Sequence, residues 1–460
     1  DSSIKKEISD LLKMKLKCNN YAMYQKLIDT LIAQGRIDED KGDYLKSEIV
    51  KYCCIESGTC AFTSLGTGCT SKLVLAGLGL VPSGMELSER PHTHIEIDSA
   101  VEILLEIFRK EDPDKSVSSL VRQNLKNAMV VWSAIGGSTN WALHFPYVAA
   151  SLGITLTPQQ IATVGRKTPL LMESNAIKNK DVLILAKEVS KGRSSGIDTL
   201  MKTLFQMNLE EDADTVHGRW LERIRDAKEA NNHILHASPL RNRSGIVEVH
   251  GNFCRSAIFK LAGLSEEAIR SFNDKIYFSV CYQGQEAAQK DLLVGQAVSN
   301  KLRARISKEA LLKTLSYNFP NDSPRQDGFR RLSKDALFNT LIRERKIRIL
   351  VVIAGEGPRA NGMPEMFYPS EYLNRDLVLR YIAVLFTDGR YSGATYGPCV
   401  GHCSPEAFEG GGIGAIETGD WIYLNFDRGE INLLDRKRLL SRKQIKYPFT
   451  RMSEKKILSR

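Results

Sequence analysis

The sequence contains no apolar run long enough to span a membrane. Its most apolar stretch lies between Ile347 and Gly355, and it is far shorter than the roughly 20 residues that cross a bilayer as a helix. The N-terminal "DSSIKKEISD" also lacks the apolar core of a secretion signal. We therefore predict a protein that has no membrane partner and does not follow the secretory route.

The nine cysteines lack the even count and regular spacing of a small secreted domain. This pattern predicts a reducing compartment, and hence a cytoplasmic location. Four cysteines nevertheless fall within 17 residues, at Cys53, Cys54, Cys60 and Cys69. Such a cluster indicates either thiolate ligands for a metal centre or small residues at tightly packed positions, and the spacing leaves both interpretations open.

The net charge of +10 is concentrated at the C-terminal end of the chain. Residues 431–460 contain ten Lys or Arg and two Asp or Glu, a net of 10 − 2 = +8. Such a segment either binds nucleic acid or another acidic surface, or is a solvated chain end. No stacking aromatics are interleaved with the charges in the manner of a single-strand binding platform. We therefore favour the solvated end and predict no nucleic-acid partner.

The first half of the sequence has the periodicity of helices. Apolar residues recur among many charged ones at helical spacing, and no series of strand-like runs occurs before about residue 240. A glycine-rich loop over Ile55–Cys69 is expected to open into a short helix. We predict further helices over Ile4–Tyr52, Ile97–Arg109, Ser116–Val131, Ser138–Leu152 and Leu209–Asn231.

The second half is rich in β-branched and aromatic runs that are bounded by turn residues, which is typical of strands. The polar stretch Asn231–Gly245 contains a proline and a glycine and marks a boundary. We therefore predict two domains, residues 1–235 and residues 236–460. Strands are predicted within Gly245–Gly251, Lys275–Tyr282, Lys346–Gly355, Tyr381–Gly389 and Asp420–Phe426.

Two loops of the second half carry candidate chemistry. "GEGPRANGMPEMF" follows the strongest strand, and its Glu356 and Glu365 are carboxylates of the kind that bind Mg²⁺. "TDGRYSGATYG" places Ser392 in a glycine-dense setting. Such a setting indicates either close approach of the backbone to a ligand or a set of tight turns.

Two segments of the first half also group polar residues. In "IGGSTNWALH", Ser138 or Thr139 either caps a helix or lies at a helix N-terminus that suits an anionic group. "PHTHIEID" alternates His92, His94, Glu96 and Asp98, which on a strand would share one face and bind a transition metal. If a helix begins near Ile95, the acids instead form a favourable first turn, and we favour this second interpretation.

Several motifs, taken in order, resemble the dihydroxy-acid dehydratase and phosphogluconate dehydratase family. They are "IGGSTN", "VHGNFCRSAIFKLAGL", "EGPRANGMPEM" and "TDGRYSGATYGPCVGHCSPEAFEGGGIGAIETGDWIYL". "GEGPRANGMPEMF" and "CAFTSLGTGCTS" are most similar to the aldonic-acid branch, of the D-xylonate dehydratase kind. The resemblance extends from about residue 52 to the C-terminus and is strongest from Ile353 to Leu424.

The resemblance implies a hydro-lyase that dehydrates a sugar acid to its 2-keto-3-deoxy acid with an iron–sulfur cluster and Mg²⁺. It implies that Cys60 ligates the cluster, that Glu365 binds Mg²⁺ and that Ser392 is the general base. A [2Fe-2S] cluster is favoured over a [4Fe-4S] cluster. A serine acts as a base only where cations and backbone amides stabilise its alkoxide, which accounts for the glycine-dense setting. Substrate contacts are predicted at Ser138, Thr139, Arg390 and Gly393.

The implied architecture is α/β: an α-rich N-terminal α/β domain, incomplete here, followed by a C-terminal β-barrel-like swivel domain. The resemblance also implies a homodimer or homotetramer. The chain lacks the Cys-Asp-Lys run of the family, and only Cys60 matches one of its three cluster cysteines. These departures indicate either part of a longer enzyme or a non-catalytic member that binds sugar acids or a partner protein. The intact motifs around Glu365 and Ser392 favour the enzyme.

Overall fold

A computed structural model describes residues 35–53, 67–86, 92–173, 196–230, 232–391 and 397–435, with Lys437 and a few isolated residues before residue 35. The chain forms two compact units. The first comprises residues 1–141, 145–156 and 167–244, and the second comprises residues 142–144, 157–166 and 245–460. Among the described residues, no helix combines the length and the apolar character that a membrane span requires. The division into residues 1–235 and 236–460 stays a prediction.

Helices dominate the chain before Gly245. Its central element is the helix Val117–Ala134 (α4), on which every residue from Ala128 to Ala134 is buried. Ser116 begins this helix by accepting a hydrogen bond from the amide of Ser119 at 3.3 Å. The elements in chain order are α1 Glu39–Cys53, α2 Thr67–Gly77, α3 His94–Lys110, α4 Val117–Ala134, α5 Trp141–Ser151, α6 Pro158–Lys167, α7 Gly196–Gln206, β1 Asp214–Thr215, β2 Gly218–Arg219 and α8 Trp220–Arg223.

The predicted helices over Ile97–Arg109, Ser116–Val131 and Ser138–Leu152 are confirmed as α3, α4 and α5. The helix predicted over Leu209–Asn231 is wrong, because this segment contains the small hairpin β1–β2 and only the one-turn helix α8.

Contacts with helix α4 explain this hairpin. Asn124 on α4 donates its side-chain amide to the carbonyl of Asp214 at 2.8 Å, and Asn127 donates to the carbonyl of Glu211 at 2.8 Å. Gly218 turns the chain with a φ of +81°, a region that favours glycine. Hydrogen bonds to a neighbouring helix therefore override the local helical pattern.

The second unit is built on one mixed sheet of eight strands in the order β10-β9-β5-β6-β7-β8-β4-β3. The neighbours β5, β6, β7 and β8 run parallel, and the remaining pairs run antiparallel. The strands are β3 Ile246–Val249, β4 Ser256–Lys260, β5 Lys275–Gln283, β6 Ile349–Ala354, β7 Ala383–Thr387, β8 Cys399–Ser404, β9 Trp421–Asn425 and β10 Glu430–Leu433.

The two edges of this sheet meet, so that it nearly closes into a barrel. Immediately after β3, the amide of His250 donates to the carbonyl of Gly429 at 2.9 Å, and the amide of Ile431 donates to the carbonyl of His250 at 2.9 Å. Closure removes the exposed edges that an open sheet presents to solvent. The mixed α/β class and the barrel-like second half are confirmed, whereas the swivel role stays a prediction.

Apolar cores cover both faces of the sheet. The aromatic rings of Phe253, Phe259 and Phe386 belong to one core, and Phe278 and Phe338 belong to the other. Since both faces are covered, all six residues of β6 are buried, and a parallel strand of this kind is a continuous apolar run. The helices of this half are α9 Glu266–Phe272, α10 Gln285–Val294, α11 Gln296–Arg303, α12 Lys308–Asn318, α13 Ser323–Arg331, α14 Lys334–Arg343, α15 Pro358–Asn361, α16 Phe367–Arg375 and α17 Leu379–Ile382.

The five predicted strand segments contain β3, β5, β6, β7 and β9, which confirms them. The pattern did not predict β4, β8 or β10. Strand β8 reads "CVGHCS", whose glycine and histidine lack the β-branched signal, yet pairing with β4 and β7 fixes it as a strand.

Candidate active site

The carboxyl ends of parallel strands meet at one edge of a sheet, which is the usual place for a ligand site. At this edge β6 leads into Gly355 and Glu356, and β7 leads into Asp388. The loops that follow these two strands contain Glu365 and Arg390. This edge is therefore the candidate active site of the second unit.

Asp388 links three loops at this edge through hydrogen bonds. Its carboxylate is fully buried and accepts hydrogen bonds from the amides of Gly355 at 3.1 Å, Glu356 at 2.9 Å and Ala407 at 2.9 Å. Burial raises the pKa of Asp388 above its ordinary value, and the three amides oppose that rise. The Asp388 carboxylate therefore links the three loops through hydrogen bonds and has a structural role.

Two further buried carboxylates hold backbone in the same manner. Glu356 accepts from the amide of Gln285 at 2.5 Å and from the side-chain amide of Asn361. Glu406 accepts from the amides at the start of α15, those of Arg359 at 2.8 Å and Ala360 at 3.1 Å. The negative charge of Glu406 thus lies at the positive end of a helical turn.

A glycine makes this last contact possible. A Cβ atom at Gly357 would lie 2.0 Å from a carboxylate oxygen of Glu406. Any other residue would therefore displace the carboxylate from the two amides. Here the dense glycine of the sequence allows a side chain to approach the backbone closely.

The loops that carry Glu365 and Arg390 run side by side. The amide of Met366 donates to the carbonyl of Arg390 at 2.7 Å, and the amide of Arg390 donates to the carbonyl of Pro364 at 3.2 Å. Glu365 and Arg390 are consequently partners in a parallel bridge. Glu365 is half-buried.

The guanidinium of Arg390 has an unused donor. Its Nε atom is buried, and no hydrogen-bond acceptor for it exists among the residues that the structure describes. A buried donor of this kind costs free energy unless an acceptor is supplied. The site therefore offers a cation with hydrogen-bonding capacity to an anionic group.

His402, on β8, lies next to this cation in an unusual conformation. Its φ is +59°, and its amide donates to the carbonyl of Gly389 at 2.9 Å. Burial, together with the charges of Arg390 and His144, lowers the pKa of His402 to about 3. The imidazole is therefore neutral near pH 7 and leaves the positive charge of the site to Arg390.

Tyr391, which follows Arg390, packs in the interior. Its ring is fully buried, and a Cβ atom at Gly401 would lie 2.8 Å from it.

Lys260 and Cys399 are partners in the β4–β8 pairing. Burial lowers the pKa of Lys260 to about 8 and raises the pKa of the Cys399 thiol to about 12.

The predicted substrate contacts of the first unit lie in its interior. Ser138 and Thr139 are buried, and the Ser138 hydroxyl lies 3.0 Å from the hydroxyl of Thr67 at the start of α2. The Ser138 amide donates to the Thr70 hydroxyl at 3.0 Å. Helix α5 begins after Asn140 without a side-chain cap, so neither hydroxyl is its N-cap. These bonds join the loop to α2.

The segment "PHTHIEID" opens helix α3 and does not form a strand. Thr93 is the N-cap, and Thr93 and Glu96 form a complete capping box in which the Glu96 carboxylate accepts from the Thr93 amide at 2.7 Å. This confirms that a helix begins here and that Glu96 lies in its first turn, whereas Asp98 follows that turn. Within the described ranges, no group of three or more His, Cys, Asp or Glu is placed to hold a metal ion.

Two sequence profiles of one family match the chain. The N-terminal dihydroxy-acid/6-phosphogluconate dehydratase profile matches residues 13–224, and the C-terminal profile of the same family matches residues 331–459. The chain belongs to this dehydratase family. Membership agrees with the resemblance of the motifs, but it does not distinguish the xylonate branch.

Curated relatives carry the name dihydroxy-acid dehydratase. The relative from Aquifex aeolicus is 27% identical over 411 residues, which cover 88% of this chain and 62% of that protein. The relative from Clostridium novyi is 27% identical over 425 residues, with 90% and 64% covered. The relative from Aliarcobacter butzleri is 25% identical over 410 residues, with 86% and 62% covered. The chain thus spans less than two thirds of the length of these relatives.

Members of this family generally use an iron–sulfur cluster and Mg²⁺. For Mg²⁺ the described residues fit in part. Mg²⁺ takes one or two protein carboxylates together with substrate oxygens and water. Glu356, Asp388 and Glu406 accept hydrogen bonds from amides of the chain. Glu365 is the carboxylate that the resemblance assigns to Mg²⁺, and this role stays a prediction.

The iron–sulfur cluster has no ligand set among the described residues. Cys60, Ser392 and Gly393 lie outside the described ranges, as does Cys54. Burial raises the pKa values of the Cys281 and Cys399 thiols to about 12, which disfavours the thiolate form that a ligand needs. The cluster and the role of Cys60 stay predictions.

Sequence reasoning missed Asp388, Glu406 and His402. Asp388 follows β7 directly in "TDG", and an acid between a buried strand and a glycine was an available signal. Glu406 and His402 gave no such signal. Their roles depend on which amides and which cation the fold brings to them, and neither follows from spacing.

Proposed function

We propose that this chain carries a large part of a hydro-lyase that dehydrates a 2,3-dihydroxy acid to a 2-keto-3-deoxy acid. Family membership supports the reaction class. The finer proposal is that the substrate is a sugar acid, an aldonate such as D-xylonate. This proposal rests on "GEGPRANGMPEMF" and "CAFTSLGTGCTS", which are most similar to the aldonic-acid branch. The proposed protein is a cytoplasmic homodimer or homotetramer.

One observation carries the proposal at the level of residues. Arg390 presents a buried donor that no described residue satisfies, and its neighbour His402 is neutral. Every candidate substrate is a carboxylate at neutral pH. A substrate carboxylate would accept a charge-assisted hydrogen bond from Arg390, and such a bond contributes roughly 1.5–3 kcal/mol.

The neighbouring residues have complementary proposed roles. Glu365, in register with Arg390, would hold Mg²⁺, and the ion when bound supplies positive charge beside the carboxylate as the α-proton leaves. Ser392 would accept the proton from C2. Loss of hydroxide from C3 then gives an enol that rearranges to the 2-keto acid, so the balance is substrate to product plus one water. Ser138, Thr139 and Gly393 remain proposed substrate contacts.

Direct binding tests the role of Arg390 without turnover. The 460-residue chain is titrated calorimetrically with D-xylonate in the presence of Mg²⁺, as wild type and as Arg390→Gln. We expect the affinity to fall about tenfold or more, in line with a lost charge-assisted bond. Arg343→Gln, which changes an exposed arginine at the end of α14, is the matched control. Equal affinity of wild type and Arg390→Gln would remove the guanidinium from the proposed site.

Product formation separates the enzyme from its non-catalytic alternative. Anaerobically prepared protein is assayed for iron, for acid-labile sulfide and for 2-keto acid formed from D-xylonate, D-gluconate and an alkyl 2,3-dihydroxy acid. With the two further cluster cysteines supplied by an added segment, the proposal expects about two irons and two sulfides per chain, aldonate turnover, and loss of turnover in Ser392→Ala. Turnover of the alkyl acid alone would show that the substrate is not an aldonate but a dihydroxy acid of the kind that the relatives' name describes. Binding without iron or turnover would support the non-catalytic member.

A further inference from the structure

Helix α3 of the first unit carries an exposed apolar stripe. None of its 17 residues is buried, although the helix is regular throughout and capped at its start by Thr93. Phe108 is 80% exposed and Leu104 is 58% exposed, which is unusual for large apolar side chains that lie in one row. The members of the stripe are Ile97, Val101, Leu104, Leu105 and Phe108.

The stripe is continuous and has a defined width. At about 100° per residue its five members fall within one sector of roughly 100°, which is the width of a face that packs against another element. At about 1.5 Å per residue it runs for some 16 Å along the helix. The inner residues Ile103 and Ile107 are half-buried. The helix therefore uses a different side for its contact within the chain.

Charges along one edge of the stripe are arranged with opposite signs at its two ends. Asp98 and Glu102 lie in the first half of the helix, and Arg109 lies near its end. Arg109 and Glu102 approach to 3.7 Å, which confirms that they share one edge. The midpoint between Asp98 and Arg109 falls between Ile103 and Leu104, close to the middle of the apolar stripe.

We propose that this stripe packs against α3 of a second copy of the chain, in antiparallel orientation about a two-fold axis near Leu104. In that arrangement each Leu104 faces the centre of the partner's stripe, and each Asp98 comes opposite an arginine at the far end. An isologous contact requires such self-complementarity. In a parallel two-fold pair the charged edges would lie on opposite sides of the contact and Asp98 would not meet Arg109, so only the antiparallel pair brings these opposite charges together.

The pairing also favours the helix dipoles, since antiparallel helices place each positive end beside a negative end. One helix pair is smaller than the roughly 1,200–2,000 Å² of a standard stable interface. We therefore expect further surface to join the contact and the stripe to supply its centre, where apolar residues carry most of the binding energy.

Sedimentation equilibrium of the 460-residue chain tests the stripe. We expect a self-associating wild type and at least a tenfold weaker association for Leu104→Asp, because a carboxylate would be buried at the centre of the contact. Leu293→Asp is the matched control, since Leu293 on α10 is 67% exposed and lies outside the stripe. A monomeric wild type, or equal weakening by both variants, would overturn the proposal.

A charge exchange identifies the occupant as a second copy. Asp98→Arg alone and Arg109→Asp alone should each weaken association several-fold, and the double variant should restore it. A segment of the same chain or another protein that covers the stripe would give no such restoration. If Leu104→Asp lowers the thermal stability of a monomer and leaves the mass unchanged, the stripe is covered from within the chain and the proposal fails.

Discussion

The two units keep buried polar groups by different means. In the first unit most of them are neutral amides and hydroxyls, such as Asn124, Asn127 and Ser138, which bond to loop backbone or to each other. In the second unit, buried carboxylates such as Asp388 and Glu406 accept from backbone amides at the strand ends. A helical unit satisfies its amides internally, whereas loops that follow parallel strands present free amides that attract anions.

This difference indicates where chemistry is to be expected. Neutral pairs hold one element on another and have little influence on the charge of their surroundings. Buried carboxylates that accept from backbone amides are less available to nearby cations, and at this edge the buried Nε of Arg390 has no described acceptor. The comparison therefore supports the strand edge as the reactive part, and three substitutions test it.

Among its described residues the first unit contains a buried ion pair that departs from its neutral pattern, and breaking this pair should have the largest effect. Arg223 donates from Nε to Asp198 at 2.8 Å, and the side chains are 1% and 4% exposed. Arg223→Met leaves the Asp198 carboxylate buried and should lower the free energy of unfolding by about 3–5 kcal/mol. Urea denaturation measures the change.

A neighbouring arginine provides the control. Arg219 donates from Nε to Asp212 at 2.9 Å, but the side chains are 56% and 28% exposed. Arg219→Met should cost less than about 1 kcal/mol, since solvent already screens this pair. Similar costs for the two variants would mean that burial does not govern the strength of these pairs.

Asp388→Asn tests the three hydrogen bonds by which the Asp388 carboxylate links loops of the second unit. The amide that replaces the carboxylate keeps one acceptor oxygen but directs N–H groups at backbone donors, so we expect a loss of about 2–3 kcal/mol in the free energy of unfolding. The exposed Asp335→Asn on α14 is the control and should change stability by about 0.5 kcal/mol or less. A change for Asp388→Asn as small as that of the control would show that the three loops hold together without the charge.

His402→Asn tests the neutral histidine beside Arg390. The unfolded imidazole takes up a proton below pH 6.5, while the folded one resists until about pH 3. Stability is therefore lost as the pH falls below 6.5, by about 2 kcal/mol at pH 5. Asparagine tolerates the positive φ, so His402→Asn should lose about 2 kcal/mol less than wild type between pH 7 and pH 5.

Urea unfolding at the two pH values measures this difference. The exposed His94→Asn, at the start of α3, is the control for the loss of an imidazole. Parallel losses in wild type and His402→Asn would contradict the assignment of acid sensitivity to this residue.

The sequence by itself determined the strongest elements and the family. The continuous apolar run predicts β6, and the helical periodicity predicts α4, both from local pattern. The motifs around Glu365 and Ser392 are recognisable from the order of their residues without the fold. The hairpin β1–β2 did not follow from pattern, because side chains of α4 hold it. Strand β8 likewise depended on its partners.

Only the tertiary structure decided which carboxylates accept hydrogen bonds from backbone amides and that the Nε atom of Arg390 lacks a described acceptor. Glu356 and Glu365 are alike as loop glutamates in the sequence, yet only Glu356 accepts from the amide of Gln285. Asp388 and Arg390 are two residues apart, yet one is saturated with donors and the other has a donor to spare. The reason is physical: a buried group's role depends on the hydrogen-bond partners that distant parts of the chain bring to it.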